Sequence, residues 1–244
     1  MLPTIGLSRP PARQDHAHAV GVFDRTIVSM TSGPDVLRDE LVTPSVTSSD
    51  VVFDGAVWDV RRDTFDLEGQ TLVREVVDHP GAVAVLALDE HEDALLIRQY
   101  RHPVAAHEWE IPAGLLDIEG EDPLLAAQRE LLEEADVTAD YWAVLVDYFT
   151  SPGGMDEAIR VYLARGLRPV PDAERHERDG EEAHIVQRRV SLDDVAAGVL
   201  AGDLHNSTLI IAALAARSAR AGEWSSLRPA DSPWPAHPGR RTSS

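Results

Sequence analysis

The 244-residue sequence contains no cysteine and no lysine. Without thiols there is no disulfide, no thiolate nucleophile and no Cys-ligated zinc or iron–sulfur centre, and such usage is compatible with a reducing cytoplasm. Without lysine, all 22 basic residues are arginine, set against 42 Asp and Glu for a formal net charge of −20. A chain this acidic repels a phosphate backbone, which argues against a nucleic-acid partner. Long apolar runs are also missing. Stretches such as 82–88 and 209–216 fall far short of the ~20 residues that a membrane-spanning helix needs. The N-terminus carries Arg9 and Arg13 but lacks the continuous apolar core of a secretory signal. Aromatic residues make up only 5% of the chain, yet the hydrophobic fraction of 43% is that of a folded protein. The expectation is a cytoplasmic protein with no membrane partner.

Composition shifts divide the chain. Residues 1–49 read as a flexible leader of scattered Pro, Ser, Thr and Asp, with Met30 as a candidate translation start. Segments 57–65 and 72–77 are rich in β-branched and aromatic residues and flank a turn at Glu68-Gly69, which predicts an antiparallel pair in a small N-terminal sheet spanning 50–79. Segments 82–88 and 94–100 predict a second pair across the acidic loop 89–93. Their near-continuous apolar character suggests burial on both faces. Asp122-Pro123 is a helix start, since Asp caps and Pro suits the first helical position. Leu124, Ala127, Leu131 and Ala135 then recur at helical spacing. Strands are predicted at 141–149, 158–164 and 185–190. Helices are predicted after Ser191 and after Asn206, the last with Leu209, Ile210, Ala213 and Leu214 on its apolar side. Residues 80–221 form the main domain in this reading, and 222–244 a flexible tail. Strands and helices intermix without regular alternation, so the fold class is α+β with a mixed sheet.

Chemistry concentrates in one stretch. On a helix, Glu130, Glu133 and Glu134 stand at i, i+3 and i+4, which gathers three carboxylates on one face. Like charges at that range repel, and a hard divalent cation relieves the repulsion; oxygen ligands and substrate phosphates suit Mg²⁺. Arg129 precedes them and can pair with a carboxylate to fix its orientation. The histidines show no pair at helical spacing, and neither a Walker-type phosphate loop nor a nucleophile elbow is present.

Gly114, Glu121, Arg129, Glu130, Leu131, Glu133, Glu134 and Val137 together resemble the Nudix hydrolase box, with two departures. Six residues rather than five separate Gly114 from Glu121, and Asp136 stands where the box has Gly. That position must leave the helix in a left-handed conformation, which Asp tolerates better than most residues. Residues 99–103, 108–114 and 150–157 resemble the ADP-ribose pyrophosphatase branch, as does Pro152, which lies 16 residues beyond Asp136. The likeness covers roughly 51–216 and implies an α/β/α sandwich preceded by a small antiparallel sheet used for dimerisation.

The resemblance implies Mg²⁺-dependent hydrolysis of ADP-ribose to AMP and ribose 5-phosphate, with Mn²⁺ as a possible substitute, by a homodimer. It assigns metal binding to Glu130, Glu134, Glu133 and the backbone carbonyl of Ala113, with Arg129 as their partner. Glu121 is expected as an outer partner of the cation. Arg101 is expected to contact phosphate, Trp109 to stack on adenine, and Gly114, Met155, Asp156 and Glu157 to line the substrate site. Glu110 could accept from an adenine amino group or bridge the dimer, and the sequence leaves both open. The general base is expected on the loop before strand 185–190, where Glu182 matches best and Glu181 lies one step away. Rival readings are hydrolysis of another nucleoside diphosphate sugar or a dinucleotide, a non-catalytic ADP-ribose sensor, and a structural dimer.

Overall fold

The computed structural model describes residues 37–176 and 184–240. The chain divides into two units, 1–40 and 41–244, and the described part of the first, 37–40, is exposed coil. The leader up to residue 36, with Met30, lies outside the described residues, as do Glu181 and Glu182.

The second unit opens with β1 (Ser45–Phe53), β2 (Asp59–Leu67) and β3 (Gln70–Asp78), an antiparallel three-stranded sheet in the order β1-β2-β3. The turn at Glu68-Gly69 joins β2 to β3 as the sequence predicts. β1 itself is not legible from pattern. Its serines interrupt the β-branched residues, and because every residue along it is exposed no apolar alternation marks it.

The main domain continues through β4 (Ala82–Ala87), β5 (Asp93–Arg101), β6 (Ala106–Glu110), β7 (Ala113–Leu115), α1 (Pro123–Ala135), β8 (Val137–Phe149), β9 (Ala158–Pro169), β10 (Val186–Ser191), α2 (Leu192–Ala201), α3 (Ser207–Ala221) and β11 (Arg228–Pro229). A five-stranded mixed sheet runs β11-β8-β9-β4-β7, with β4 and β9 parallel and the other pairs antiparallel. A separate three-stranded sheet runs β10-β5-β6. The expected pairing of 82–88 with 94–100 is therefore corrected. The two segments meet only at a bridge between Leu88 and Ala94, and β4 and β5 belong to different sheets. β4 is buried on both faces, whereas β5 is so only over 94–97 and exposes Arg98 and Tyr100, which corrects the expected two-faced burial of its second half.

Side-chain alternation along β4 divides the core. Val83, Val85 and Ala87 pack with Ala126, Ala127, Leu131 and Ala135 of α1. Ala84 and Leu86 face the opposite layer, which holds Leu192 and Val195 of α2 and Leu209, Ala212, Ala213 and Ala216 of α3. Helices on both faces of a mixed sheet make the α/β/α sandwich. All three helices start on local caps. Asp122 accepts from the Leu124 amide, Ser191 from Asp194 and Asn206 from Leu209. Leu214, expected on the apolar side of α3, is instead 40% exposed.

Residues 222–240, expected as a flexible tail, pack back onto the domain. β11 pairs with β8, and Trp234 and His237 are buried. The guanidinium of Arg160 on β9, itself 2% exposed, donates to both oxygens of Asp147 and to the backbone carbonyls of Ser232 and Pro233, under the Trp234 ring. The signal for this was a pair of aromatic-polar steps among Pro and Ser, a composition that reads as coil.

Candidate active site

Helix α1 ends where the box demands. Asp136 adopts φ 54° and ψ 35°, and its amide donates to the Leu132 carbonyl. The left-handed exit expected at this position is made without glycine. Upstream, the acids of α1 are shared between two partners. Arg129 makes a two-pronged contact with Glu121, Nε to Oε1 at 3.1 Å and Nη2 to Oε2 at 3.0 Å. Its Nη1 donates to Glu130 at 2.6 Å and to Glu133 at 3.2 Å. Hydrogen bonding to Glu121, supported by Glu130 and Glu133, raises the Arg129 pKa well above its ordinary value, so this cation is permanent. Glu121, placed in the sequence as an outer partner, orients Arg129, which in turn orients Glu130 and Glu133.

Glu134 turns the other way. Its Oε2 accepts from the Ala113 amide at 2.8 Å, and the helix is held from behind by Gln187, whose side chain donates to the Glu134 carbonyl. Glu134 is 4% exposed and Glu130 9%. Gly114, the first residue of the box, sits in β7 opposite Val83. A Cβ there would lie 2.0 Å from the Glu130 carboxylate, so only glycine lets the acid reach the strand.

Among the described residues, no three acids or histidines close into a ready cation cage. The donor set still fits a hard divalent cation. Two buried carboxylates stand on one helix face against the glycine cradle, and they offer only oxygen. With Glu133 and the Ala113 carbonyl they are the residues that would hold it.

Ala113 and Gly114 form the lip of a cleft of about 360 Å³ whose lining also includes Arg101, Glu110, Glu157 and Trp58. Arg101 grips Glu110 through Nε to Oε1 at 2.8 Å and Nη2 to Oε2 at 2.7 Å, while Gln99 contacts the same carboxylate. That hydrogen bonding raises the Arg101 pKa. Glu110 is thus engaged inside its own subunit by an arginine, and its two sequence-level roles both meet that competitor.

Trp109 does not join the lining. It follows β6 alternation to the face opposite Glu110, stacks under Arg98 at 5.5 Å and borders a separate depression with Leu204 and His205. Met155 and Asp156, also outside that lining, tie the loop before β9 to the N-terminal sheet. Met155 bridges Val77, and Asp156 accepts from Arg61 of β2 and from the His79 amide, which fastens the N-terminal sheet to the loop before β9.

Sequence reasoning missed Trp58 and His79. The His79 ring stacks on Trp58 at 4.3 Å, accepts at Nδ1 from the Gly81 amide and faces Glu157 with Nε2 at 3.3 Å. Glu157 in turn accepts from the Thr150 hydroxyl at 2.6 Å. Burial lowers the His79 pKa against the opposing pull of Glu157, Asp156 and Asp78. The ring is therefore neutral with its proton on Nε2. A lone His before Pro-Gly gives no helix-face signal, and only the fold brings it to the cleft.

No described helix is long and apolar enough to cross a membrane. Residues 78–209 match the NUDIX domain. The chain is 43% identical over 188 residues to an ADP-ribose pyrophosphatase of Mycobacterium tuberculosis, covering 77% of this chain and 89% of that protein. It is 34% identical over 174 residues to a methanol dehydrogenase activator of Bacillus methanolicus, covering 71% of this chain and 92% of that protein. A solved structure described as an ADP compounds hydrolase superposes with a TM-score of 0.62 at 22% identity, over 76% of this chain and 98% of the other, and shares the fold. Matched over more than half its length by the domain that the box residues of α1 define, the chain belongs to the Nudix family.

Proposed function

We propose that the protein hydrolyses the pyrophosphate of ADP-ribose to AMP and ribose 5-phosphate, with Mg²⁺ as the cation and Mn²⁺ as a substitute. One observation carries this reading: the buried Glu130 and Glu134 lie behind the Ala113–Gly114 lip of a cleft that also presents Arg101. Similarity to the mycobacterial ADP-ribose pyrophosphatase supports the substrate class.

When bound, the divalent cation withdraws charge from the phosphoryl oxygens. The protein's own residues supply the rest. Arg129 holds Glu130 and Glu133 in one orientation, and the Ala113 amide holds Glu134. Arg101 offers the two parallel donors that now grip Glu110 to a phosphate instead. Trp58, which lines the cleft, provides an aromatic face for adenine in place of Trp109. Water adds to one phosphorus, the bridging P–O bond breaks, and the oxygen departs with the other phosphate. The proton of that water passes to Glu182.

Product analysis with Mg²⁺ across ADP-ribose, ADP-glucose, NADH and diadenosine polyphosphates tests the substrate. ADP-ribose is expected to turn over fastest, and a rate no higher than that of ADP-glucose would sink the reading. Glu182→Gln is expected to lower kcat by ~10²-fold while cation affinity, read by calorimetry, stays unchanged. Full activity in that variant moves the role to Glu181.

The same reading includes a homodimer built on the N-terminal sheet. β1 is exposed along its whole length, with Val51 and Phe53 each 61% exposed, and an exposed edge strand with an apolar end calls for a cover.

A further inference from the structure

The C-terminal segment lies beyond residues 78–209 that match the NUDIX domain, yet it contacts Pro80, between His79 and Ala82, which both line the cleft. The chain of contacts begins at Arg160. Asp147 grips this guanidinium from its own sheet and is also paired with Arg228 at 2.9 Å. The carbonyls of Ser232 and Pro233 accept from Arg160, and the Trp234 ring covers it at 4.8 Å. Trp234 then meets the His237 ring edge-on at 4.7 Å. His237, 4% exposed, places Nε2 at 3.1 Å from the Pro80 carbonyl. A carbonyl only accepts, so Nε2 carries the proton.

Pro80 sits inside a three-residue turn that serves the cleft on both sides. On one side, the Gly81 amide donates to His79 Nδ1, which orients the ring that faces Glu157. On the other, the Gly81 carbonyl accepts from the Leu116 amide at 3.0 Å, just after the strand that carries Ala113 and Gly114. Gly81 has φ +87°, and a Cβ there would lie 2.2 Å from His237 Nε2. The turn is therefore shaped to receive this ring, and a larger residue at 81 would expel it.

We propose that His237 is a positioning residue for the reaction: held by Trp234 and the Arg160 clamp, it fixes the 79–81 turn and through it both His79 and the strand that supports the catalytic acids. The kinetic part of this proposal rests on the ADP-ribose reading; the structural part does not.

Two substitutions separate the hydrogen bond from packing. His237→Phe keeps an aromatic ring against Trp234 and removes the donor. His237→Gln keeps an N–H donor at a similar reach. Hydrogen–deuterium exchange by mass spectrometry on the full chain is expected to show faster exchange in His237→Phe confined to segments 79–84 and 113–118, with α3 unchanged and His237→Gln close to wild type. In ADP-ribose turnover, His237→Phe is expected to lose about tenfold in kcat, more than any change in KM, with Gln restoring most of it. Wild-type exchange and kinetics in the Phe variant overturn the proposal, as does exchange that quickens equally throughout the chain. If wild type fails to hydrolyse ADP-ribose but the Phe variant shows the confined exchange, the substrate reading fails and the positioning role stands.

Discussion

A Cβ at residue 114 would overlap the Glu130 carboxylate, so Gly114→Ala must displace the acid rather than merely crowd a loop. The expected outcome is a loss of ~10²-fold in kcat with little change in the thermal midpoint, checked by steady-state assay and calorimetric melting. Retained activity would mean that Glu130 need not touch β7. His79 yields a pH dependence. Burial lowers its pKa below the ordinary 6.5, so the folded chain keeps the ring neutral where the unfolded chain would protonate it. The unfolded state then binds more protons, and stability rises with pH through the interval below 6.5 and levels off above it. Urea unfolding at pH values of about 5.5 and about 7.5 should show wild type weaker at the lower pH. In His79→Asn, whose side-chain oxygen can accept from Gly81, that difference should shrink. Equal differences would clear His79 of the effect. Helical spacing shows that Glu130, Glu133 and Glu134 share a face beside Arg129, but only the resemblance to the Nudix box marks them as a site. Trp58 and His79 were not, because their place in the cleft depends on how β2 and β3 dock through Asp156, and no local pattern encodes that contact.

Helix ends are decided within a few residues, which is why the caps at Asp122, Ser191 and Asn206 follow from sequence. The same locality makes α1 testable. Asp136 holds a left-handed conformation that costs a side chain more than it costs glycine. Asp136→Gly is therefore expected to stabilise the protein by about 0.5–1 kcal/mol, read as a higher urea midpoint with an unchanged slope. Destabilisation would show that the Asp136 side chain contributes more than its backbone costs. Strand partners are a different matter. The segments that became β4 and β5 have the composition of buried strands, but composition does not name a neighbour. β4 pairs in parallel with β9, some 77 residues further along, between Ala82 and Ile159. Trp109 lies outside the cleft lining for a related reason: alternation says that it and Glu110 face opposite ways, but not which face of β6 meets the cleft.

For the whole molecule, the legible part was the sandwich and its acidic surface, and the illegible part was each end of the second unit. β1 lacks alternation because it is exposed throughout, and the final segment lacks an apolar run because scattered residues, Trp224, Leu227, Ala230, Trp234 and His237, do its packing. The proposed dimer is tested at this scale. Sedimentation equilibrium of wild type should give twice the chain mass of 26.6 kDa, and the double substitution Val51→Asp, Phe53→Asp should give the monomer. A monomeric wild type would leave the exposed strand without its proposed cover. The contact between Pro80 and His237 has a further bearing on how the protein is made. It joins positions 157 apart in sequence, and β4 begins at Ala82, just past Gly81. During synthesis, chain growth from the N-terminus exposes β4 and the box helix long before residue 237 is translated. The 79–81 turn thus gains this contact only after residue 237 has left the ribosome, so a nascent chain can hold Glu130 and Glu134 on their helix and still lack the backing of the neighbouring strand.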